Sequence, residues 1–295
     1  MTVPTTNEPA NQAEHQSAAA GAITELGIVA GKGDYPLLLA QSARQQGVKR
    51  LFAVAFRHET SRAIARYVDE VVWVYLGQLQ PILDAFNASG IGHAVMAGQI
   101  TPTHLFSVRF DRATLALLAR LRERNAHTLF GAFCDELKAV GVELLPAYLF
   151  MERAMPAPGL IAGALPTASQ QADIELGLRV AKVTSGIEIG QTVVVKDGTI
   201  LAVEAFEGTD EAIRRAARLG GRGVTVVKVA KQGHDMRFDI PVIGARTLKT
   251  LRGAKAAVLA VEARRTILLD RARLVADAER MGLSFLAVET NEHEH

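Results

Sequence analysis

The densest concentration of chemistry-bearing residues in this 295-residue chain runs from Lys228 to Pro241 and holds Lys228, Lys231, Asp235, Arg237 and Asp239 around Gly233. Lysines and an arginine can neutralise phosphoryl oxygens while aspartates hold a divalent cation, which is the combination a metal-bound diphosphate needs. If Asp235 to Asp239 is extended, side-chain alternation puts Asp235, Arg237 and Asp239 on one face, with Met236, Phe238 and Ile240 on the other. An edge strand with a salt-bridged solvent face has the same pattern. In a straight strand the two aspartates stand about 13 Å apart, too far to share one ion directly. Either the segment bends or the two carboxylates have different jobs, and Pro241 favours an extended Ile240.

A second stretch, Glu204 to Glu211, adds Glu204, Glu207, Asp210 and Glu211 just before a helix. Thr209 reads as its N-cap, with Gly208 before it and the acids complementing the helix dipole. The cap does not account for Glu204 and Glu207, which leaves these acids free to line a metal–phosphate site. A third stretch, Gly31-Lys32-Gly33-Asp34-Tyr35-Pro36, follows the first apolar run. Glycines there permit a tight turn and a close ligand, and the following helix start presents N–H groups to an anion. It lacks the third glycine of the dinucleotide fingerprint, and no carboxylate ends the second strand, where Phe56-Arg57-His58 stands. Nicotinamide chemistry is therefore disfavoured, but a phosphate-bearing ligand is not. Gly98-Gln99-Ile100 sits after another strand, where a parallel sheet binds ligands or simply turns. Leu105, Phe106 and Phe110, beside Arg109 and Arg112, fit core packing better than contact with an acyl chain or membrane.

These residues need a scaffold, and the apolar runs supply one. Short strand-like runs alternate with helical stripes from Leu26 to Phe150, which predicts a parallel, helix-covered, Rossmann-like sheet over residues 23–155. Pro156, Pro158, Gly159, Gly163 and Pro166 mark 156–167 as a linker. Residues 168–290 read as a mixed α/β catalytic domain. Thr167 with Gln170 makes a capping box at its start, and Asp197-Gly198 turns a β-hairpin between Thr192–Lys196 and Thr199–Ala205. Residues 1–22 and 291–295 read as disordered tails. The chain carries 33 Lys and Arg against 31 Asp and Glu, a balance that does not suit coating nucleic acid. Its single cysteine, Cys134, reads as core and excludes an internal disulfide. No apolar run is long enough to span a bilayer, and no secretion signal is apparent, so a cytoplasmic location is expected.

Leu26 to Pro36, Val203 to Asp210 and Lys228 to Gly244 together resemble the LpxI-type UDP-2,3-diacylglucosamine pyrophosphatases, in the same order and over most of the chain. The family's Arg-x-Asp-x-Pro segment falls on Arg237, Asp239 and Pro241, with Asp235 as the preceding aspartate. Its metal and catalytic role is linked to an aspartate here, and either Asp235 or Asp239 can be the match. Departures include Gln232-Gly233-His234 for Pro-Gly-Gln and Glu262-Ala263-Arg264-Arg265 for Glu-Ala-Gly-Arg. The Asp-x-His and Gly-Asn-His-Asp strings of calcineurin-like enzymes are absent, and no Nudix helix is visible.

The resemblance implies magnesium-dependent hydrolysis of a lipid nucleotide sugar to UMP and 2,3-diacylglucosamine 1-phosphate (lipid X) in lipid A synthesis, by two domains with substrate between them and frequently as a dimer. On that reading Mg2+ is held by one or more of Asp235, Asp239, Asp210 and Glu207, while Lys228, Lys231 and Arg237 stabilise developing phosphoryl charge. Asp239, bracketed by Arg237 and Pro241, is the preferred catalytic member of its pair. Gly31, Lys32, Gly33 and Asp34 would contact substrate through their backbone, joined by Gly98, Gln99, Ile100, Gly208 and Thr209. A diacylated substrate implies peripheral contact with the inner face of the cytoplasmic membrane. A soluble nucleotide-sugar hydrolase or transferase, and a non-catalytic nucleotide-binding regulator, are the competing readings.

Overall fold

The computed structural model describes residues 23–100, 109–123, 126–231, 235–238 and 240–290, with only the backbone at 126 and 127. The chain divides into two compact units between Phe150 and Met151.

In the first unit, β1 (Glu25–Ala30), β2 (Arg50–Phe56), β3 (Glu70–Val74), β4 (His93–Ala97) and β5 (Glu143–Leu144) form one parallel sheet in the order β3-β2-β1-β4-β5. Helices α1 (Tyr35–Gln45), α2 (Leu79–Ser89), α3 (Arg112–Arg120) and α4 (Ala126–Ala139) link or flank them. The central strands read as unbroken apolar runs because a helix-covered parallel sheet is buried on both faces, and β1 and β2 are buried almost throughout. Strand order reverses between β1 and β4, the topological switch point of such sheets. The strand expected over 143–150 stops after Leu144. Pro146 has no N–H for the ladder, and the Leu149 N–H turns back to its carbonyl at 3.0 Å.

The second unit is built on a mixed sheet in the order β6-β13-β11-β9-β7-β8. Its strands are β6 (Gly159–Ala162), β7 (Thr192–Lys196), β8 (Thr199–Val203), β9 (Thr225–Lys228), β11 (Val258–Glu262) and β13 (Ser284–Val288). Strands β9, β11 and β13 run parallel, while β6 and the β7–β8 hairpin are antiparallel to their neighbours. A separate parallel pair joins β10 (Val242–Ile243) to β12 (Ile267–Leu268). The stretch read as linker thus contributes an edge strand, since proline and glycine are tolerated at sheet edges.

Helix α5 (Ala168–Gly186) starts at the Thr167–Gln170 capping box as expected, and packs on one sheet face through Ile174 and Ala181 against Val195, Val227 and Ala260. A Cβ at Gly177 would come within 2.5 Å of Val227 Cγ2, so glycine sets the helix-to-sheet distance. The other face carries α6 (Thr209–Gly220), α7 (Ala245–Ala254) and α8 (Arg271–Met281), around Val226, Leu259 and Phe285. Periodicity did not single out α7, although Leu248 and Leu251 bury one face of it. Asp197 and Gly198 take φ of 48° and 73°, as the hairpin turn requires. Buried Asp173 on α5 accepts both their N–H groups, at 3.0 and 2.7 Å.

Candidate active site

Strand direction gathers the polar residues of the second unit at one sheet edge. Strands β9, β11 and β8 end there and the antiparallel β7 begins there. This brings together Lys228, the last residue of β9, with Thr192, the first of β7 and its register partner. The Glu204 N–H just beyond β8 donates to the Thr192 carbonyl at 2.8 Å. Helix α6 then begins at Thr209.

Lys228 is only 9% exposed. Its Nζ donates to Thr209 Oγ1 at 2.8 Å and to Thr192 Oγ1 at 3.4 Å, and it lies 3.9 Å from Glu204 Oε2. Thr209 Oγ1 in turn donates to Glu204 Oε1 at 2.9 Å. Glu204 Oε2 is buried and has no hydrogen-bond partner. A buried carboxylate oxygen is normally balanced by a donor or a charge, and here the Lys228 ammonium is the charge beside it. The N-cap of α6 is Gly208, at φ 82°, and not Thr209. The left-handed backbone at Gly208 shifts Thr209 to the first helical position, so its hydroxyl serves Lys228 and Glu204 and leaves the helix uncapped by a side chain.

The other expected residues have partners of their own. Glu207 Oε1 is held by Arg215 Nη2 at 2.7 Å, and Asp210 Oδ2 by Arg246 Nε at 2.6 Å. Burial pushes the Glu207 carboxyl up, but the Arg215 hydrogen bond and nearby N–H groups outweigh it and hold the group below the usual carboxylate range. Lys231 Nζ pairs with Glu188. The strand expected across Asp235 to Asp239 is replaced by a turn over the described part. The Phe238 N–H donates to the Asp235 carbonyl at 3.2 Å, and Asp235 Oδ1 accepts the Arg237 N–H at 3.0 Å. The Arg237 Nη2 then bonds Asp235 Oδ2 at 2.6 Å, so the two side chains clasp one another across a bend. Asp239 lies outside the described residues. Among the described residues no three His, Cys, Asp or Glu gather as they would around an ion.

In the first unit the two glycine stretches prove to be one structure. Lys32 and Gln99 form an antiparallel bridge, with N–H to carbonyl distances of 2.7 and 3.0 Å, and the Gly31 N–H donates to Ala97 at 2.8 Å. A Cβ on Gly31 would sit 2.8 Å from the Gln99 carbonyl oxygen, and one on Gly98 2.8 Å from that of Lys32, with Gly98 also at φ +94°. The close approach expected of these glycines is therefore to each other. A phosphate at this edge would meet the Lys32 side chain, Gly33, Asp34 and the start of α1 more readily than the N–H groups committed to the bridge. Ile100 continues from the bridged Gln99 and is half-buried. Leu105 and Phe106 lie outside the described residues. Phe110 is 36% exposed, not core, whereas Cys134 is buried as expected.

Residue patterns did not reveal Thr192 or Lys182. Lys182 Nζ lies 2.7 and 2.8 Å from the two oxygens of Glu262, the last residue of β11. Neither has a local signal, because Thr192 acquires its partner through sheet register and Lys182 through the packing of α5 on the sheet.

Residues 25–154 match the LpxI N-terminal domain and residues 157–286 the LpxI C-terminal domain. The chain belongs to the LpxI family. A curated relative, the "UDP-2,3-diacylglucosamine pyrophosphatase LpxI" of Caulobacter vibrioides, is 31% identical over 280 residues, covering 91% of this chain and 99% of that one. The fold accords with this LpxI membership, with a parallel sheet in one unit and a mixed sheet in the other. Among solved structures, the biotin carboxylase domain dimer of Hydrogenobacter thermophilus 2-oxoglutarate carboxylase is 15% identical, covers 68% of this chain and 43% of that one, and has a TM-score of 0.25. That likeness is too low to bear on fold or function.

Proposed function

We propose that this LpxI-family chain hydrolyses the pyrophosphate bond of UDP-2,3-diacylglucosamine, giving UMP and 2,3-diacylglucosamine 1-phosphate. The observation that carries the reading is the buried Lys228 ammonium, bonded to Thr209 and paired with the buried Glu204 carboxylate at the edge of the C-terminal sheet. Water adds to one phosphorus and the bond to the bridging oxygen breaks, so negative charge grows on the departing phosphate. A preorganised ammonium in a water-poor setting is suited to that charge. Lys231 and Arg237 join by exchanging Glu188 and Asp235 for phosphoryl oxygens. At the edge of the N-terminal sheet, Lys32, Gly33 and Asp34, with Gly98, Gln99 and Ile100, contact the nucleotide or sugar phosphate.

Magnesium belongs to the proposal as the cation that neutralises a diphosphate and lowers the pKa of bound water. The described carboxylates do not by themselves assemble its site. Glu204 and Asp239 are the groups to meet it, while Glu207, Asp210 and Asp235 take part only by leaving their arginines. Full turnover in excess EDTA would remove the metal from the scheme. The deciding assay supplies UDP-2,3-diacylglucosamine with and without magnesium and identifies products. Equal turnover of UDP-glucosamine lacking acyl chains would instead make this a soluble nucleotide-sugar hydrolase.

Two further expectations belong to this reading. No helix among the described residues is long and apolar enough to cross a membrane. Access to a diacylated substrate is therefore proposed to come by peripheral contact at the inner face of the cytoplasmic membrane, with exposed Phe110 beside Arg109 and Arg112 a contributor. Recovery in the high-salt wash of membranes is the expected result. The active form is proposed to be a homodimer, measured by light scattering on the purified chain.

A further inference from the structure

The Lys182–Glu262 pair shares no hydrogen bond with the Lys228 cluster, although Glu262 follows Val261, the register partner of Lys228. Glu262 is 2% exposed. Its Oε1 accepts from Lys182 Nζ at 2.7 Å and from Thr290 Oγ1, and its Oε2 accepts from Lys182 Nζ and from the Ala230 N–H, each at 2.8 Å. Lys182 Nζ also donates to the Ala230 carbonyl at 3.1 Å. Both polar groups of one peptide residue are thus held by one buried ion pair, drawn from α5 and β11.

Ala230 occupies a particular place. The sheet ladder of β9 ends at Lys228, and the Val229 N–H is taken by the Gln191 carbonyl at 3.0 Å. Ala230 follows, and directly after it come Lys231 and the segment bearing Asp235, Arg237 and Asp239. A chain leaving a sheet has no ladder to fix its direction, and a buried charge pair is costly to dehydrate and gives little net stability. Its bonds to Ala230 provide instead a rigid point of departure for the segment. A misplacement of about 1 Å in such a segment costs about a hundredfold in rate.

We propose that Lys182 and Glu262 are positioning residues for catalysis. They clamp the Ala230 peptide so that Lys231, the next residue, leaves the sheet in the orientation the reaction needs. The inference rests on the pyrophosphatase reading, but the clamp itself is measurable without it.

The test compares Glu262→Gln with Asp173→Asn. Both change a buried carboxylate of the same unit, and Asp173 holds only the hairpin turn through its two N–H bonds. A glutamine keeps only one acceptor oxygen, so whichever way it sits its NH2 meets the Lys182 ammonium and a donor from Thr290 or Ala230, and the charge that held Lys182 is lost. The expected result is a fall in kcat of about tenfold to a hundredfold for Glu262→Gln, with KM within about threefold of the parent. The Ala230 and Lys231 amides should exchange with solvent at least about tenfold faster, while the β9 amides stay protected. Asp173→Asn should lower the thermal midpoint and leave kcat alone. If Glu262→Gln does not fold, Thr290→Val removes one donor to the same carboxylate and should lower kcat about threefold. Unchanged kcat in a folded variant, or an equal loss in Asp173→Asn, would overturn the positioning role. If the parent protein does not turn over the lipid nucleotide, the pyrophosphatase reading fails, and amide exchange alone then decides whether the clamp exists.

Discussion

At the edge of the N-terminal sheet, Gly31, Lys32 and Gln99 direct their backbone N–H groups to carbonyls of the opposing stretch. At the edge of the C-terminal sheet, side chains carry the polar contacts: Lys228 to Thr209, Thr209 to Glu204, Lys182 to Glu262. The first edge has these backbone hydrogen bonds closed and leaves Gln99 exposed. The second buries charge and leaves Glu204 Oε2 unmatched. Burying charge is expensive, and on the proposed function the first edge would bind substrate and the second would cleave the bond.

Lys228→Met is the hardest test of that assignment. Turnover should fall about a thousandfold, the scale for losing one preorganised charge-stabilising donor, with modest change in substrate affinity. A variant retaining a tenth of parental turnover would move the chemistry away from this edge. The aspartates sharpen the picture within one segment. Asp239→Ala should lower kcat about a hundredfold while substrate still binds. Asp235→Ala should cost less than about tenfold, acting through the Arg237 clasp on affinity and stability. The turn seen from Asp235 to Phe238 replaces the straight strand on which the separation of about 13 Å was reckoned. Equal losses of turnover and of magnesium affinity would then mean a shared ion, as a direct metal titration of both variants can show.

Smaller effects are expected at the closed edge. Gly98→Ala puts a Cβ 2.8 Å from the Lys32 carbonyl oxygen at φ +94°, so it should destabilise by about 2 kcal/mol. KM should rise with little change in kcat, read by denaturant unfolding and steady-state kinetics. A loss of kcat matching that of Lys228→Met would erase the distinction between the edges. The smallest effect belongs to Glu207. Its folded carboxyl lies below the ordinary value near 4.5, so its contribution is present above that pH and is lost as pH falls through the depressed folded value. Glu207→Gln should therefore cost under about 1 kcal/mol at neutral pH, with its unfolding curve converging on the parent's in acid.

What the sequence determined by itself is local. Strand-like runs alternating with helical stripes announced a parallel sheet, because parallel neighbours need a crossover between them. Thr167 with Gln170 announced the start of α5, and Asp197-Gly198 the hairpin, because caps and turns are decided within four residues. The residue types at Lys228, Thr209 and Glu204 were legible as phosphate chemistry, but not as a single cluster. Tertiary structure alone decided the partners. Sheet register set Lys228 beside Thr192, while helix packing brought Lys182 to Glu262 across 80 residues and gave Asp210 to Arg246. The β6 strand in the proline-rich stretch likewise exists only because β13 offers it an edge. Such pairings depend on strand order and direction, which no window of neighbouring residues encodes. They also set the buried Glu204 Oε2 within 3.9 Å of the Lys228 ammonium.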